Sequence, residues 1–226
     1  MRDSSEREDK QRRDVTGGPM TDREQPMLPA VANFIAALRE LHANEPDEAA
    51  RWSKAADLLK LLLTDPDVQA HARNWPTSPA KLGLAGKHAN LIFYQDPDYG
   101  FVINGLIKKP AAKTTVHDHG KSWTLYGVLD GTESVARFRR TDEGKPGDLP
   151  KLATVVATET TQVGAGHVDC IAPWEIHAEY NDDGATSTAV IVRSQKSGTF
   201  IQNIFYQKDH SVEQYHGPEQ IPYHFG

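Results

Sequence analysis

The feature that most limits the fold of this chain is a change of hydrophobic period near residue 89. From there on, short runs rich in Val, Ile, Phe, Tyr and Thr are separated by breaks that contain Gly, Pro or Asp. Two-residue alternation is the pattern of half-buried strands, and closely spaced strands with turn signals are typical of a β-sandwich or barrel. The predicted strands are 91–94, 100–107, 114–119, 123–129, 134–139, 152–158, 167–171, 176–180, 188–193 and 200–205.

Before residue 89 the apolar residues follow the 3.6-residue period of a helix. This pattern predicts helices over 28–43, 47–63 and 68–74, with Asp47 as the N-cap of the second. Residues 1–25 are dense in Arg, Asp, Glu and Ser, a composition that buries too little apolar area to fold. We therefore predict a disordered charged tail (1–25), a helical extension (26–80), a β-barrel (85–208) and an irregular C-terminal arm (209–226).

Composition argues against several classes of partner. The formal net charge of −6 gives no broad cationic surface for nucleic acid or anionic lipid. No apolar run approaches the ~18 residues of a membrane span, and the N-terminus lacks the apolar core of a signal peptide. Cys170 is the only cysteine, so a reducing, cytoplasmic location is expected. These features argue against a nucleic-acid or membrane partner. We expect a small-molecule substrate and a monomer or homodimer.

The segment most suggestive of chemistry contains His117 and His119. On a strand, residues i and i+2 lie on the same face, about 6–7 Å apart, so two imidazoles can bind one metal ion if a third ligand comes from another strand. His177 on a later predicted strand is the candidate third ligand, and His167 is the alternative. This spacing predicts a mononuclear metal centre.

These residues also resemble a known family. The stretches 115–122 and 126–131 are similar to the first cupin motif in the form found in cysteine dioxygenase and related thiol dioxygenases, and 173–181 resembles the second cupin motif. The resemblance covers about residues 89–207. It implies a mostly β fold, the double-stranded β-helix or jelly-roll barrel of the cupins, with an N-terminal helical extension.

The resemblance further implies that His117, His119 and His177 bind a single Fe(II). Ordinary cupins add a glutamate four or five residues after the second histidine, where this chain has Trp123 and Thr124. Three neutral imidazoles would leave one face of the ion open for an anionic substrate and O2. Zinc uses the same ligands and is the competing possibility, with nickel and manganese as further alternatives.

The chain departs from the thiol dioxygenases at other positions. The early strand over 88–94 lacks the arginine that holds the carboxylate of cysteine in that family. The positions of the Ser-His-Tyr relay are taken by Ile191, Arg193 and Gln195, and the cross-linking cysteine of the animal enzymes corresponds to Thr124. Cysteine itself is therefore not the expected substrate.

Two residues are candidates for roles in catalysis. Arg193 either enters the cavity, where a guanidinium could anchor an acidic substrate, or is a rim arginine paired with Glu175 or Glu179. Tyr126 either faces the site or only packs inside the barrel. The expected function is an Fe(II)-dependent, thiol-dioxygenase-like oxidoreductase acting on a small anionic substrate. The alternatives are a metal-bound sensor module or a zinc-type hydrolase or isomerase.

Overall fold

The computed structural model describes residues 26–76 and 89–226 of the chain. The first range contains three helices, α1 (Pro29–Asn44), α2 (Glu48–Leu63) and α3 (Pro66–Ala72). They confirm the predicted helices with small shifts at their ends, and Asp47 caps α2 by accepting a hydrogen bond from the N–H of Ala50. None of the described helices has the length and apolar character needed to cross a membrane. The predicted tail, 1–25, lies outside the described residues.

The second described range contains twelve strands. All ten predicted strands overlap an observed one, and two more lie in the predicted C-terminal arm. The strands are β1 (Ala89–Gln95), β2 (Val102–Lys108), β3 (Val116–His117), β4 (Thr124–Asp130), β5 (Thr132–Arg140), β6 (Val155–Gly164), β7 (Val168–Ile171), β8 (Ile176–Tyr180), β9 (Ser187–Arg193), β10 (Gln202–Phe205), β11 (Val212–Tyr215) and β12 (Glu219–Pro222).

The strands form two facing six-stranded sheets. The first has the order β12-β1-β2-β9-β4-β7 and the second β11-β10-β3-β8-β5-β6. Neighbouring strands are antiparallel except β12 and β1, which are parallel. Early strands pair with late ones in both sheets, β2 with β9 and β3 with β8, so the two halves of the barrel wind around each other. This topology is a double-stranded β-helix, and the predicted fold class is confirmed.

The first sheet is buried on both faces. Val190 packs outward into the same apolar cluster as Leu59 of α2. Ile191 packs inward, in a cluster that includes Val135 of the second sheet. Burial on both faces explains why β9 is an almost continuous apolar run. The same alternation places Arg193 on the inner face of the sheet, between the two layers.

The end of the chain differs from its prediction. The prediction of an irregular arm over 209–226 is wrong, because β11 extends the second sheet and β12 extends the first. Phe225 is fully buried in the cluster formed by the helices and the first sheet. Each of these strands has four residues and is mostly exposed or half-buried. Such strands have too little apolar alternation to be recognised in a sequence.

Candidate metal centre

Three histidines meet on the inner face of the second sheet. His117 on β3 is paired directly with His177 on β8, and His119 follows two residues later. One nitrogen from each lies within 4.8 Å of the others, and the ring centroids are 4.7–4.9 Å apart. His119 and His177 are buried, whereas His117 is half-buried. The structure therefore brings the three predicted ligands into one cluster that can hold a metal ion.

The chain reaches this arrangement by leaving the strand after His117. The prediction of a strand over 114–119 is wrong at its end, because β3 stops at His117. The buried carboxylate of Asp118 accepts hydrogen bonds from the backbone N–H of Gly120 and from the backbone and side-chain amides of Asn203. These bonds fix a turn in which Gly120 has φ = +55°. The turn, rather than a strand, orients His119 toward the other two rings.

Each ring uses its two nitrogens differently. The Nε2 atoms of His119 and His177 face each other at 2.9 Å. The Nδ1 atom of His117 lies 2.9 Å from the backbone oxygen of Thr115, and that of His119 lies 3.0 Å from the side-chain amide of Gln202. The Nδ1 atom of His177 lies 3.6 Å from Oε1 of Glu179. Hence acceptor oxygens lie behind Nδ1 of His117 and near Nδ1 of His177, which suits coordination of these two rings through Nε2, whereas the group behind Nδ1 of His119 is an amide nitrogen.

The spacing between the nitrogens of His119 and His177 fits a single ion. Two nitrogens about 2.1 Å from a first-row ion are about 3.0 Å apart at a 90° angle and about 3.4 Å apart at a tetrahedral angle. The 2.9 Å between His119 and His177 is close to the first value. Any pair separated by as much as 4.8 Å must then include His117. His117 must therefore move closer for all three nitrogens to bind one ion.

Burial keeps the inner two imidazoles neutral. It lowers the pKa of His177 to about 3, although the Glu179 carboxylate acts in the opposite direction. Burial and then the neighbouring histidines lower the pKa of His119 well below its ordinary value. Neutral imidazole is the form that binds metal. Within the described residues the cluster contains no carboxylate, and Thr124 turns inward in the same region as a buried hydroxyl without a hydrogen-bond partner.

A buried polar network adjoins the histidines. Lys108 on β2 pairs with Glu133 at 2.6 Å and lies 4.0 Å from Glu179. Glu133 also accepts hydrogen bonds from the hydroxyls of Tyr126 and Ser187. Burial opposes ionisation of Glu179, but the cation of Lys108 and the hydrogen bond from Thr114 outweigh it, and the pKa of Glu179 lies below its ordinary range. The network thus places two carboxylates and an ammonium group inside the barrel.

Tyr126 and Arg193 both face the interior. Burial, together with Glu133, raises the pKa of Tyr126 well above its ordinary value, so the phenol keeps its proton and donates to Glu133. Arg193 is only 4% exposed, and its Nη1 donates to Oδ1 of Asn104 at 3.2 Å. Burial lowers the pKa of Arg193 to about 10, and the group remains cationic at neutral pH.

The alternative interpretation of Arg193 as a rim residue paired with Glu175 is wrong. The partner of Glu175 is Arg137, at 2.7 Å, and Arg137 also binds Asp169. Among the described residues Arg193 forms no ion pair within 4.0 Å, and its Nε has no acceptor. It therefore has donor capacity that the described protein groups leave unused.

The alternative third ligand, His167, does not join the cluster. The residue is exposed, and partial burial of its ring, with Lys60 of α2 and Arg137 nearby, lowers its pKa. Cys170 is half-buried, and burial raises the pKa of its thiol to about 11. A thiol with that pKa is a poor nucleophile at neutral pH.

Comparisons with known proteins give a general likeness in fold. No family model matches the chain, and no curated protein matches its sequence. Solved structures that it resembles include the Schizosaccharomyces pombe Cnp3 cupin domain (8% identity, 47% of this chain and 64% of that chain, TM-score 0.36). Another is a Klebsiella pneumoniae subsp. pneumoniae protein with a double-stranded β-helix domain (13% identity, 58% of this chain and 86% of that chain, TM-score 0.35). A third is oxalate oxidase in complex with the substrate analogue glycolate (15% identity, 49% of this chain and 53% of that chain, TM-score 0.37).

The chain spans less than two thirds of the Cnp3 domain and about half of that oxalate oxidase. The assignment of the fold comes from the strand order described above. The fold is a double-stranded β-helix. Its three-histidine cluster is suited to binding a metal ion.

Several residues around the site are absent from the sequence-based prediction. Gln202, Lys108 and Glu133 lie on strands that are far apart in the sequence, and no local pattern predicts their meeting. The position of Glu179 next to His177 can be predicted, because Glu179 follows His177 by two positions on one strand and therefore shares its face. In the sequence-based prediction it enters only as an alternative partner of Arg193.

Proposed function

We propose that this protein is an Fe(II)-dependent, thiol-dioxygenase-like cupin oxygenase that acts on a small anionic substrate other than cysteine. The observation that carries the proposal is the cluster of three imidazoles without a carboxylate among the described residues. Bound Fe(II) would supply the redox chemistry that O2 requires and open positions for the substrate. The lone cysteine is compatible with the reducing cytoplasm that Fe(II) needs.

The charges inside the barrel support an anionic substrate. The cations Lys108 and Arg193 balance the anions Glu133 and Glu179, and the imidazoles of His119 and His177 are neutral. A divalent ion at this centre would therefore add two positive charges to a set of four groups whose charges already balance. An uncompensated buried charge is costly, so an anionic ligand is favoured at the metal.

Arg193 is the proposed anchor of the substrate. Its buried guanidinium has an unused Nε donor, and Thr124, directly opposite on β4, has a buried hydroxyl without a partner. A carboxylate or a similar planar anion can accept from both groups. Tyr126 is the second candidate for contact with the substrate, as a buried phenol that keeps its proton. The partners would be this substrate and O2.

A second candidate function uses the same ligand set. Three histidines also bind zinc, and a zinc-bound water would suit a hydrolase or isomerase. Nickel or manganese at the site, or a binding and sensing role, would use the same histidines and the same guanidinium. These candidates differ from the first in consuming no O2.

The test is O2 uptake by the Fe(II)-loaded protein with a panel of small carboxylates and thiols that includes L-cysteine. We expect turnover with one of these classes and little with L-cysteine. Arg193→Ala should weaken binding of the best substrate about ten- to a hundredfold, the effect of losing ~1.5–3 kcal/mol of charge-assisted hydrogen bonding, and should keep its metal. Arg193→Lys should not restore binding, because an ammonium lacks the fork of donors.

Two results would contradict the proposal. The oxygenase assignment fails if the Fe(II) protein consumes no O2 with any member of the panel, while the zinc form hydrolyses or isomerises a substrate. The assigned role of Arg193 fails if Arg193→Ala has unchanged kinetics. Rapid turnover of L-cysteine would show that the substitutions at the relay positions do not exclude it.

A further inference from the structure

We propose that Glu179 takes over, from behind His177, part of the role of the carboxylate ligand that the metal centre lacks. When metal is bound, its Oε1 accepts a hydrogen bond from Nδ1–H of His177 and thereby positions that ligand. The inference rests on the proposed metal centre. It adds a positioning residue, which acts through His177 rather than on the substrate.

The first observation is the unpartnered nitrogen of His177. Its side chain is fully buried, and among the described residues Nδ1 has no hydrogen-bond partner. Coordination through Nε2 requires the proton to be on Nδ1, and a buried N–H without an acceptor is unfavourable. Oε1 of Glu179 lies 3.6 Å from this atom, slightly beyond hydrogen-bond distance. A shift of about 0.6 Å would close the bond to a normal length.

The second observation is how Glu179 is held. Its other oxygen, Oε2, accepts a hydrogen bond from the hydroxyl of Thr114 at 2.9 Å and faces Lys108 at 4.0 Å. These partners occupy one side of the carboxylate and leave Oε1 directed at His177. Lys108 is held in turn by Glu133 at 2.6 Å. The carboxylate is thus oriented by groups from separate parts of the chain before any metal binds.

The third observation is that the three rings have unequal partners. Behind His117 is a backbone carbonyl, and behind His119 is the neutral amide of Gln202. Only His177 has a charged acceptor within 4 Å of Nδ1 among the described residues. A carboxylate behind a ligand histidine fixes its tautomer and raises its basicity, and loss of such a partner typically weakens metal binding 10- to 100-fold.

The experiment compares metal affinity in two matched variants. Glu175 and Glu179 lie two residues before and after His177, but Glu175 binds Arg137 at 2.7 Å instead of a histidine. Affinity for Co(II) and Zn(II) is measured by competition with a chromophoric chelator. We expect Glu179→Gln to bind about 10- to 100-fold more weakly than the wild type, and Glu175→Gln to stay within about threefold.

A spectroscopic measurement separates positioning from a general structural effect. With Zn(II) bound, the Nδ1–H proton of His177 should give a slowly exchanging, downfield NMR resonance, which should move upfield in Glu179→Gln. If this variant does not fold, Thr114→Val, which removes the hydroxyl that holds Oε2, should show the same shift and a several-fold loss of affinity.

The outcomes distinguish this inference from the proposed function. Equal metal affinity and an unchanged Nδ1–H resonance in Glu179→Gln would overturn the role of Glu179 and leave the metal centre intact. An equal loss in Glu175→Gln would also overturn it, because the effect would then come from local charge alone. A wild-type protein that binds no metal would overturn the metal centre and this inference together.

Discussion

Replacing Gly120 with alanine should damage the fold and the metal centre together. Gly120 follows His119 in the turn that ends β3 and has φ = +55°, a conformation that L side chains rarely adopt. An added Cβ would lie 2.2 Å from the backbone oxygen of Ile201. A backbone carbonyl cannot move aside as the end of a flexible side chain can, so the turn itself must shift.

The expected loss of folding stability in Gly120→Ala has two contributions. The left-handed conformation of a non-glycine residue costs about 1–2 kcal/mol, and overpacking against a fixed neighbour adds about 1–3 kcal/mol. Gly120→Ala should therefore lower the free energy of unfolding by about 2–5 kcal/mol. Gly166 is the matched control, because it has φ = +87° and nothing within 4 Å of an added Cβ. Gly166→Ala should lower the free energy of unfolding only by the contribution of the left-handed conformation, about 1–2 kcal/mol.

Urea unfolding of the metal-free protein measures the free energy of unfolding of both variants. A chelator competition measures the metal affinity of each. The difference between Gly120→Ala and Gly166→Ala isolates the contact with Ile201, and only Gly120→Ala should lose metal affinity, because only that turn holds His119. Equal destabilisation by the two substitutions would refute the steric argument. Unchanged metal affinity in a destabilised Gly120→Ala would show that the turn does not orient His119.

Two further predictions concern the buried charges. Lys108→Met should lower the free energy of unfolding by about 3–5 kcal/mol, because it leaves Glu133 without its buried cation, whereas Lys113→Met at an exposed ion pair should change it by less than about 0.5 kcal/mol. Urea unfolding measures both variants, and similar losses of unfolding free energy in Lys108→Met and Lys113→Met would contradict the assigned network. His177 has a folded-state pKa of about 3, below its ordinary 6.5. The unfolded chain therefore takes up its proton first as the pH falls. Stability of the metal-free protein should decrease from about pH 6.5 downward, by on the order of 2 kcal/mol between about pH 8 and pH 5 from this group, and a flat profile would contradict neutral burial of His177.

Much of the fold follows from local patterns. Period-two alternation predicts ten of the strands, and helical periodicity with Asp47 as N-cap predicts α2 nearly to the residue. The same alternation places Arg193 on the face of Ala189 and Ile191, where the structure has it. These patterns can be recognised in the sequence because each strand or helix must place apolar residues on its own buried face.

Other features depend on contacts that no local pattern encodes. The pairing of Lys108 with Glu133 joins two charged residues that a strand pattern would place in solvent, and it becomes favourable only when β2 and β5 meet inside the barrel. The end of β3 was missed because it depends on hydrogen bonds from Asn203 to Asp118 across 85 positions. The strands after residue 209 form because sheet edges offer them partners.

The central claim, a metal centre built from three histidines, is tested most directly by metal content per chain. The wild type, His119→Ala and His167→Ala are loaded with Fe(II) under anaerobic conditions, desalted and measured by elemental analysis. The account predicts about one ion per chain in the wild type and His167→Ala, and almost none in His119→Ala, because two remaining imidazoles cannot hold a first-row ion through desalting. Full metal in His119→Ala, or no metal in the wild type, would contradict it.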